Sequence, residues 1–188
     1  MILPRILTQK SIDHGLISEE DREIYEYGFD ITIYTIWSTI VLLLIGLVLR
    51  QFWASLVIVT GFYTFQSSGG GYHANTHLKC LFSMITGLLV GLSFVFLKDL
   101  PVCLWILLGA GALLLLSVPL VLHHNKAYLE TEKKRLTIRS VMITLSVLIS
   151  VIVLNIFWDR MLCAFSAMFL LAGISRLTGK IHINSEKQ

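Results

Sequence analysis

The sequence predicts an all-α polytopic membrane protein with about six transmembrane helices, preceded by amphipathic helices lying in the membrane interface. Three observations carry this reading. Charged residues make up 14% of the 188, against about 25% in soluble domains. Apolar types reach 55% and the mean hydropathy is +0.77, more apolar surface than a soluble fold of this size could hide. Finally, the apolar residues are gathered into six long runs, with charges only near their edges. This pattern excludes a disordered tail and a nucleic-acid-binding arm. A net charge of +3 is too mild for a polyanion partner, so no nucleic acid is expected.

Residues 1–29 are polar and mixed in charge, and read as a cytoplasmic amphipathic segment. Ile2, Leu3, Ile6 and Leu7 fall at helical spacing with Pro4 near the start, as in a short helix resting on a membrane surface. The chain start lacks a basic segment followed by a long apolar core, so no cleavable signal peptide is expected. Ser18 followed by Glu19, Glu20 and Asp21 suits an N-cap with acids in the first turn. A second helix should open there and run toward the membrane.

The apolar runs occupy residues 31–49, 52–65, 81–97, 102–122, 138–158 and 161–177. Residues 30–177 thus form the expected transmembrane domain, and 178–188 a cytoplasmic tail. A spanning helix needs about 20 apolar residues, and the second run is short. It ends in polar residues and glycines, which suggests irregular backbone at the membrane boundary. Such backbone is tolerated only when buried in protein or lining a wet cavity. With six spans, 12 of the 15 Lys and Arg residues share one side with both termini and the 66–80 loop. The positive-inside rule places that side in the cytoplasm, at a multi-pass cell membrane.

Three cysteines, Cys80, Cys103 and Cys163, do not make a disulfide framework. Cys103 and Cys163 lie in apolar runs without ionisable neighbours and read as packing residues. Cys80 differs. It closes the segment Gln66-Ser-Ser-Gly-Gly-Gly-Tyr-His-Ala-Asn-Thr-His-Leu-Lys-Cys80, a concentration of polar and nucleophilic groups between two apolar runs. Polar clusters at membrane depth are candidates for function. The glycines Gly69, Gly70 and Gly71 read either as a flexible turn or as backbone free to approach a developing oxyanion closely.

On one straight helix His73 and Cys80 would lie two turns apart, about 10.5 Å, and His77 would be the neighbour of Cys80. Asn75, a favoured N-cap, instead suggests a helix starting at Thr76. His73 would then lie in the preceding turn and could fold back. Cys80 would stand in the first helical turn, where a thiolate is favoured. A rival reading groups His73, His77 and Cys80 as a metal-binding face of a small transporter-like module. The acid that usually serves a catalytic zinc helix is missing, since Ala74 follows His73. No metal and no cofactor is expected. His123 and His124, beside Asn125, read as membrane-interface residues, and His182, in a polar tail, carries no signal.

The pattern Gly70-Gly71-Tyr72-His73, with Cys80 seven residues on, in a polyhelical membrane chain of this length, resembles the accessory gene regulator protein B family. These are membrane cysteine endopeptidases of Gram-positive quorum sensing. The resemblance implies that His73 and Cys80 are the catalytic pair, with Gly71 as a supporting backbone position; Gly70 and Asn75 read from the sequence as further supporting or oxyanion candidates. It also implies cleavage of a small AgrD-like pheromone precursor through an acyl-thioester, leading to a cyclic thiolactone or lactone peptide. Gln66 stands where members often carry an arginine. Ser67 and Ser68, with Asn75, are further candidates to orient His73. The cytoplasmic cluster Lys133, Lys134, Arg135 and Arg139 either reports topology and contacts membrane lipid, or binds acidic residues of the precursor. A homodimer is implied by resemblance, with Gly87 and Gly91 as the best small-residue packing face.

Overall fold

The computed structural model describes residues 2–72, 76–121, 130–157 and 161–185, with backbone alone for 155–157 and 183–185. Among these residues there are only helices and their connections. They are α1 (Ile2–Asp13), α2 (Arg22–Val48), α3 (Phe52–Gly69), α4 (His77–Leu92), α5 (Pro101–Ser117), α6 (Glu130–Phe157) and α7 (Leu162–Ser185). Short 3-10 turns precede α2 at Glu19–Asp21 and extend α4 at Ser93–Leu97. The chain falls into two compact units, Met1–Val41 and Leu42–Gln188.

In the first unit, Ser18 adopts the extended N-cap conformation. Its hydroxyl hydrogen-bonds the Asp21 carboxylate at 2.8 Å rather than a backbone N–H. Arg5 pairs with Glu26 at 2.8 Å and Arg22 with Glu19 at 2.6 Å. Ile2, Leu3 and Ile6 of α1 are exposed.

Each of the six apolar runs carries one helix from α2 to α7. Among the described residues, however, four helices are long and apolar enough to cross a membrane: Glu19–Val48, His77–Leu97, Glu130–Leu154 and Leu162–His182. The apolar helix Pro101–Ser117 is shorter, and α3 does not meet the same measure because its last turn carries Gln66, Ser67, Ser68 and Gly69. Helix α7 continues beyond residue 177 to Ser185.

In the second unit α7 is the central helix. It packs against α5 most extensively and also against α3, α4 and α6. Of its apolar stretch 56% is buried, against 17% in each of the other three candidate spans. The difference sorts an inner helix from outer ones whose apolar faces need lipid. The close α5–α7 crossing depends on glycine. A Cβ on Gly111 would meet the Phe169 backbone at 2.4 Å, and one on Gly173 would meet the Gly111 carbonyl at 2.9 Å. Ser166 adds a hydrogen bond to the Leu104 carbonyl at 2.9 Å. Gly91 brings α4 against Ile58, Leu171 and Ala167, so this glycine packs the monomer's own core.

At the other end, α2 and α3 form a tight hairpin. Gly46 lies against Ser55, whose hydroxyl donates to the Leu42 carbonyl at 3.2 Å. Arg50 turns the chain with φ 57°.

Candidate active site

The loaded segment of the sequence is broken backbone, held from three directions. Helix α3 ends at Gly69, and the N–H of Gly70 returns to the Gln66 carbonyl at 2.9 Å. Gly70 has φ 68°, a left-handed conformation that only glycine adopts without strain. The amide of Gln66 donates to the Tyr72 carbonyl at 3.2 Å and closes the turn. Gln66 is therefore a staple of this loop. The N–H of Tyr72 reaches across to α7, to the Ser175 carbonyl at 2.9 Å and its hydroxyl at 3.2 Å. On the opposite side the N–H of Val121 donates to the Gly69 carbonyl at 3.0 Å.

Helix α4 then starts at His77. Its N-cap is Thr76, not Asn75: Thr76 is extended, and its hydroxyl accepts from the Lys79 N–H at 3.4 Å. A β-branched residue adopts that extended cap conformation readily. The Cys80 N–H makes a backbone bond to the Thr76 carbonyl at 3.0 Å, so the cysteine stands in the opening turn of the helix. It is half-buried and carries a free thiol. No helix runs unbroken from position 69 to 80. His73 and Asn75 lie outside the described residues, as do His123 and His124. The metal face of His73, His77 and Cys80 also falls partly outside them. Among the described residues no three His, Cys, Asp or Glu side chains converge.

Cys80 lines a cavity of about 390 Å³ between α3, α4 and α7. Gln66, Tyr72, Ser83, Ser175 and Thr178 also line it, and the hydrogen bonds of Gln66 and Ser175 to Tyr72 place them at the level of the glycine turn. Gly70 spends its N–H on the α3 cap, which takes it away from an oxyanion role in this conformation. Gly71 is held differently, its backbone wedged against Gly179, where a Cβ would stand 2.7 Å from the Gly71 carbonyl carbon. Ser67 and Ser68 turn their hydroxyls back to carbonyls of α3, Thr64 at 3.0 Å and Phe65 at 3.0 Å. Lys133, Lys134, Arg135 and Arg139 follow one another in the first turns of α6, with Lys133 paired to Glu130 at 2.7 Å.

Sequence reasoning missed the contribution of α7. Arg176 reads as a cytoplasmic topology charge, yet it is 1% exposed. Its guanidinium donates to the Leu115 carbonyl and, at 2.8 Å, to the Ser140 hydroxyl. Leu115 lies among the last four residues of α5, whose carbonyls have no helical partner. A cation there also suits the negative end of the helix. Gly69 leaves the space this guanidinium fills, since a Cβ at 69 would collide with it. His182, three residues past Gly179, sets its ring edge-on to Tyr72 with centroids 5.8 Å apart. The available signal was an arginine at the end of an apolar run, because ionisable groups at membrane depth mark functional or structural centres.

The fold and the site define a multi-pass helical membrane protein with a half-buried cysteine beside a cavity at a helix break. The accessory gene regulator B (AgrB) family model matches residues 5–178, and the chain belongs to that family. Members are membrane proteins of the agr quorum-sensing system, generally processing enzymes of the cysteine-protease type, and the family implies a peptide precursor, AgrD, as substrate. No individual curated protein and no solved structure matches this chain.

Proposed function

We propose that this chain cleaves an AgrD-like precursor with Cys80 as nucleophile and His73 as its base. The observation that carries the reading is the position of Cys80, at the opening turn of α4 and on the wall of a cavity, directly after the break between α3 and α4. The break between Gly69 and His77 supports the pairing, because no single helix carries positions 69 to 80. In the proposed reaction His73 takes the thiol proton and Cys80 sulfur attacks the scissile carbonyl. The carbon–nitrogen bond breaks, the departing amine takes the proton from His73, and an acyl-thioester remains on Cys80. A cysteine or serine hydroxyl of the precursor then attacks the same carbonyl. Its proton passes to the departing Cys80 sulfur, and the cyclic product leaves. Exchange of one thioester for another is close to isoenergetic, and a dry site protects the intermediate from hydrolysis.

Two further elements belong to this reading. Both termini and the 66–80 loop face the cytoplasm, where an amphipathic precursor would lie on the inner leaflet. Lys133, Lys134, Arg135 and Arg139, or the lipid they attract, would meet its acidic part, and the enzyme acts as a homodimer.

The test is co-expression with a short precursor and mass analysis of the product. Cys80→Ala and His73→Ala should each abolish processing, whereas His77→Ala should retain it. Hydroxylamine should release a precursor fragment from trapped wild-type enzyme and none from Cys80→Ala. Processing by Cys80→Ala would end the proposal.

A further inference from the structure

The cavity beside Cys80 has more internal order than an attack site requires. Along α4 its lining steps from Cys80 and Ser83 to Met84, Gly87 and Leu88, one face of the helix at i, i+3, i+4, i+7 and i+8. Eight residues of helix is about 12 Å. The facing walls change in the same direction. The uncharged polar groups of Gln66 and Thr178 sit near the glycine turn, whereas Ile58, Leu171 and Leu42 line the far part. Among the described residues that line it, none is charged. At about 390 Å³ the space lies at the small end of ligand sites, which run from about 300 to 1,000 Å³. A helix, about 10 Å across, is too wide for it.

Resting on the proteolytic reading above, we propose that this cavity is the specificity pocket for the acyl side of the cleaved bond. It takes one or two bulky apolar side chains, the first on the residue whose carbonyl Cys80 attacks. That side chain leaves the carbon bonded directly to the reacting carbonyl, so a pocket with the nucleophile in its wall meets it first. The acyl part also stays on the enzyme after the leaving segment departs. An apolar side chain filling the pocket keeps water from the thioester until the internal nucleophile arrives. A charged side chain is rejected, because burial without a partner is costly. Gly87 sets the volume: a Cβ there would have the Leu171 side chain at 3.9 Å as its nearest neighbour, so larger side chains at 87 grow into the pocket.

The experiment varies the residue just before the cleavage point, located from the product mass, among Phe, Ala and Asp. Wild type should process the Phe precursor at least about 10-fold faster than the Ala one, the size expected for lost apolar contact in a pocket, and should leave the Asp precursor uncut. Gly87→Leu should slow the Phe precursor more than the Ala one, reducing or inverting the ratio. Met84→Ala, which enlarges the pocket, should raise the relative rate of a Trp precursor. A second arm compares alkylation of Cys80 by octyl- and hydroxyethyl-substituted iodoacetamides, with Cys103 in the same molecule correcting for partition into lipid. The octyl preference should be greater at Cys80 than at Cys103, and Gly87→Leu should remove the excess.

Wild-type processing without residue preference, or Gly87→Leu slowing all precursors equally, overturns the pocket and leaves the protease intact. An octyl preference at Cys80 combined with indifferent precursor rates assigns the cavity to a lipid chain, and also overturns it. Processing of no precursor overturns the proteolytic reading, and the substrate assignment falls with it.

Discussion

At the scale of single residues, the site is shaped less by its reactive groups than by what keeps them in place. Arg176 gathers three elements by capping α5, bonding Ser140 of α6 and filling the space left by Gly69. Arg176→Met keeps much of the volume but leaves a buried carbonyl and hydroxyl without this donor. Such a loss costs about 1–3 kcal/mol and should appear as a lower melting temperature in detergent, with Arg176→Lys intermediate. Gly179 acts by absence. Any side chain there meets the Gly71–Tyr72 peptide at 2.7–2.8 Å, and that backbone is tied by Gln66 and Ser175. Gly179→Ala should cost about 1–3 kcal/mol through overpacking and reduce precursor processing. Stability lost without any change in processing would show that the loop does not need this seat.

At the scale of elements, the connections do more than the helices. The α2–α3 turn places Arg50 at φ 57°, a region disfavoured by about 1–2 kcal/mol for a residue with a Cβ. Its neighbours are well bonded, with the Gln51 N–H on the Gly46 carbonyl at 2.8 Å. Arg50→Gly should relieve this strain. Part of the gain is offset by glycine's greater freedom in the unfolded chain, leaving an expected stabilisation of up to about 1 kcal/mol. Equilibrium unfolding in mixed micelles measures it. The break between α3 and α4 is the counterpart at the other end of α3. There glycine and the Thr76 cap separate two helices that a continuous apolar pattern would have fused.

At the scale of the whole molecule, one helix decides on which side of the membrane Cys80 lies. If α3 crosses, six spans carry the glycine turn and Cys80 to the cytoplasmic face and put Cys103 near the outer one. If only the four longest apolar helices cross, the two cysteines exchange sides. Both arrangements leave the termini together, so fusions at the ends cannot separate them. At 18 residues α3 spans about 27 Å, close to the roughly 30 Å hydrocarbon core, and its tight hairpin with α2 favours the crossing. A membrane-impermeant maleimide applied to intact cells should therefore label Cys103 and spare Cys80, with both labelled after permeabilisation. The reverse pattern would place the site outside.

The sequence by itself determined the all-helical membrane class and the helix carried by each apolar run, because lipid demands long apolar runs and cannot hydrate a bare backbone. It also singled out the segment that breaks the pattern and the cysteine that follows it, since polarity is conspicuous where apolarity is the rule. Only the tertiary structure decided that Thr76 caps α4 and that Gln66 staples the turn. The role of α7, whose Ser175, Arg176 and Gly179 seat the loop from more than 100 positions away, was equally hidden. The physical reason is that hydropathy reports how each residue meets its solvent. Which helix stands at the centre, where two backbones touch and where a space is left open are settled by pairs of residues with no local signature.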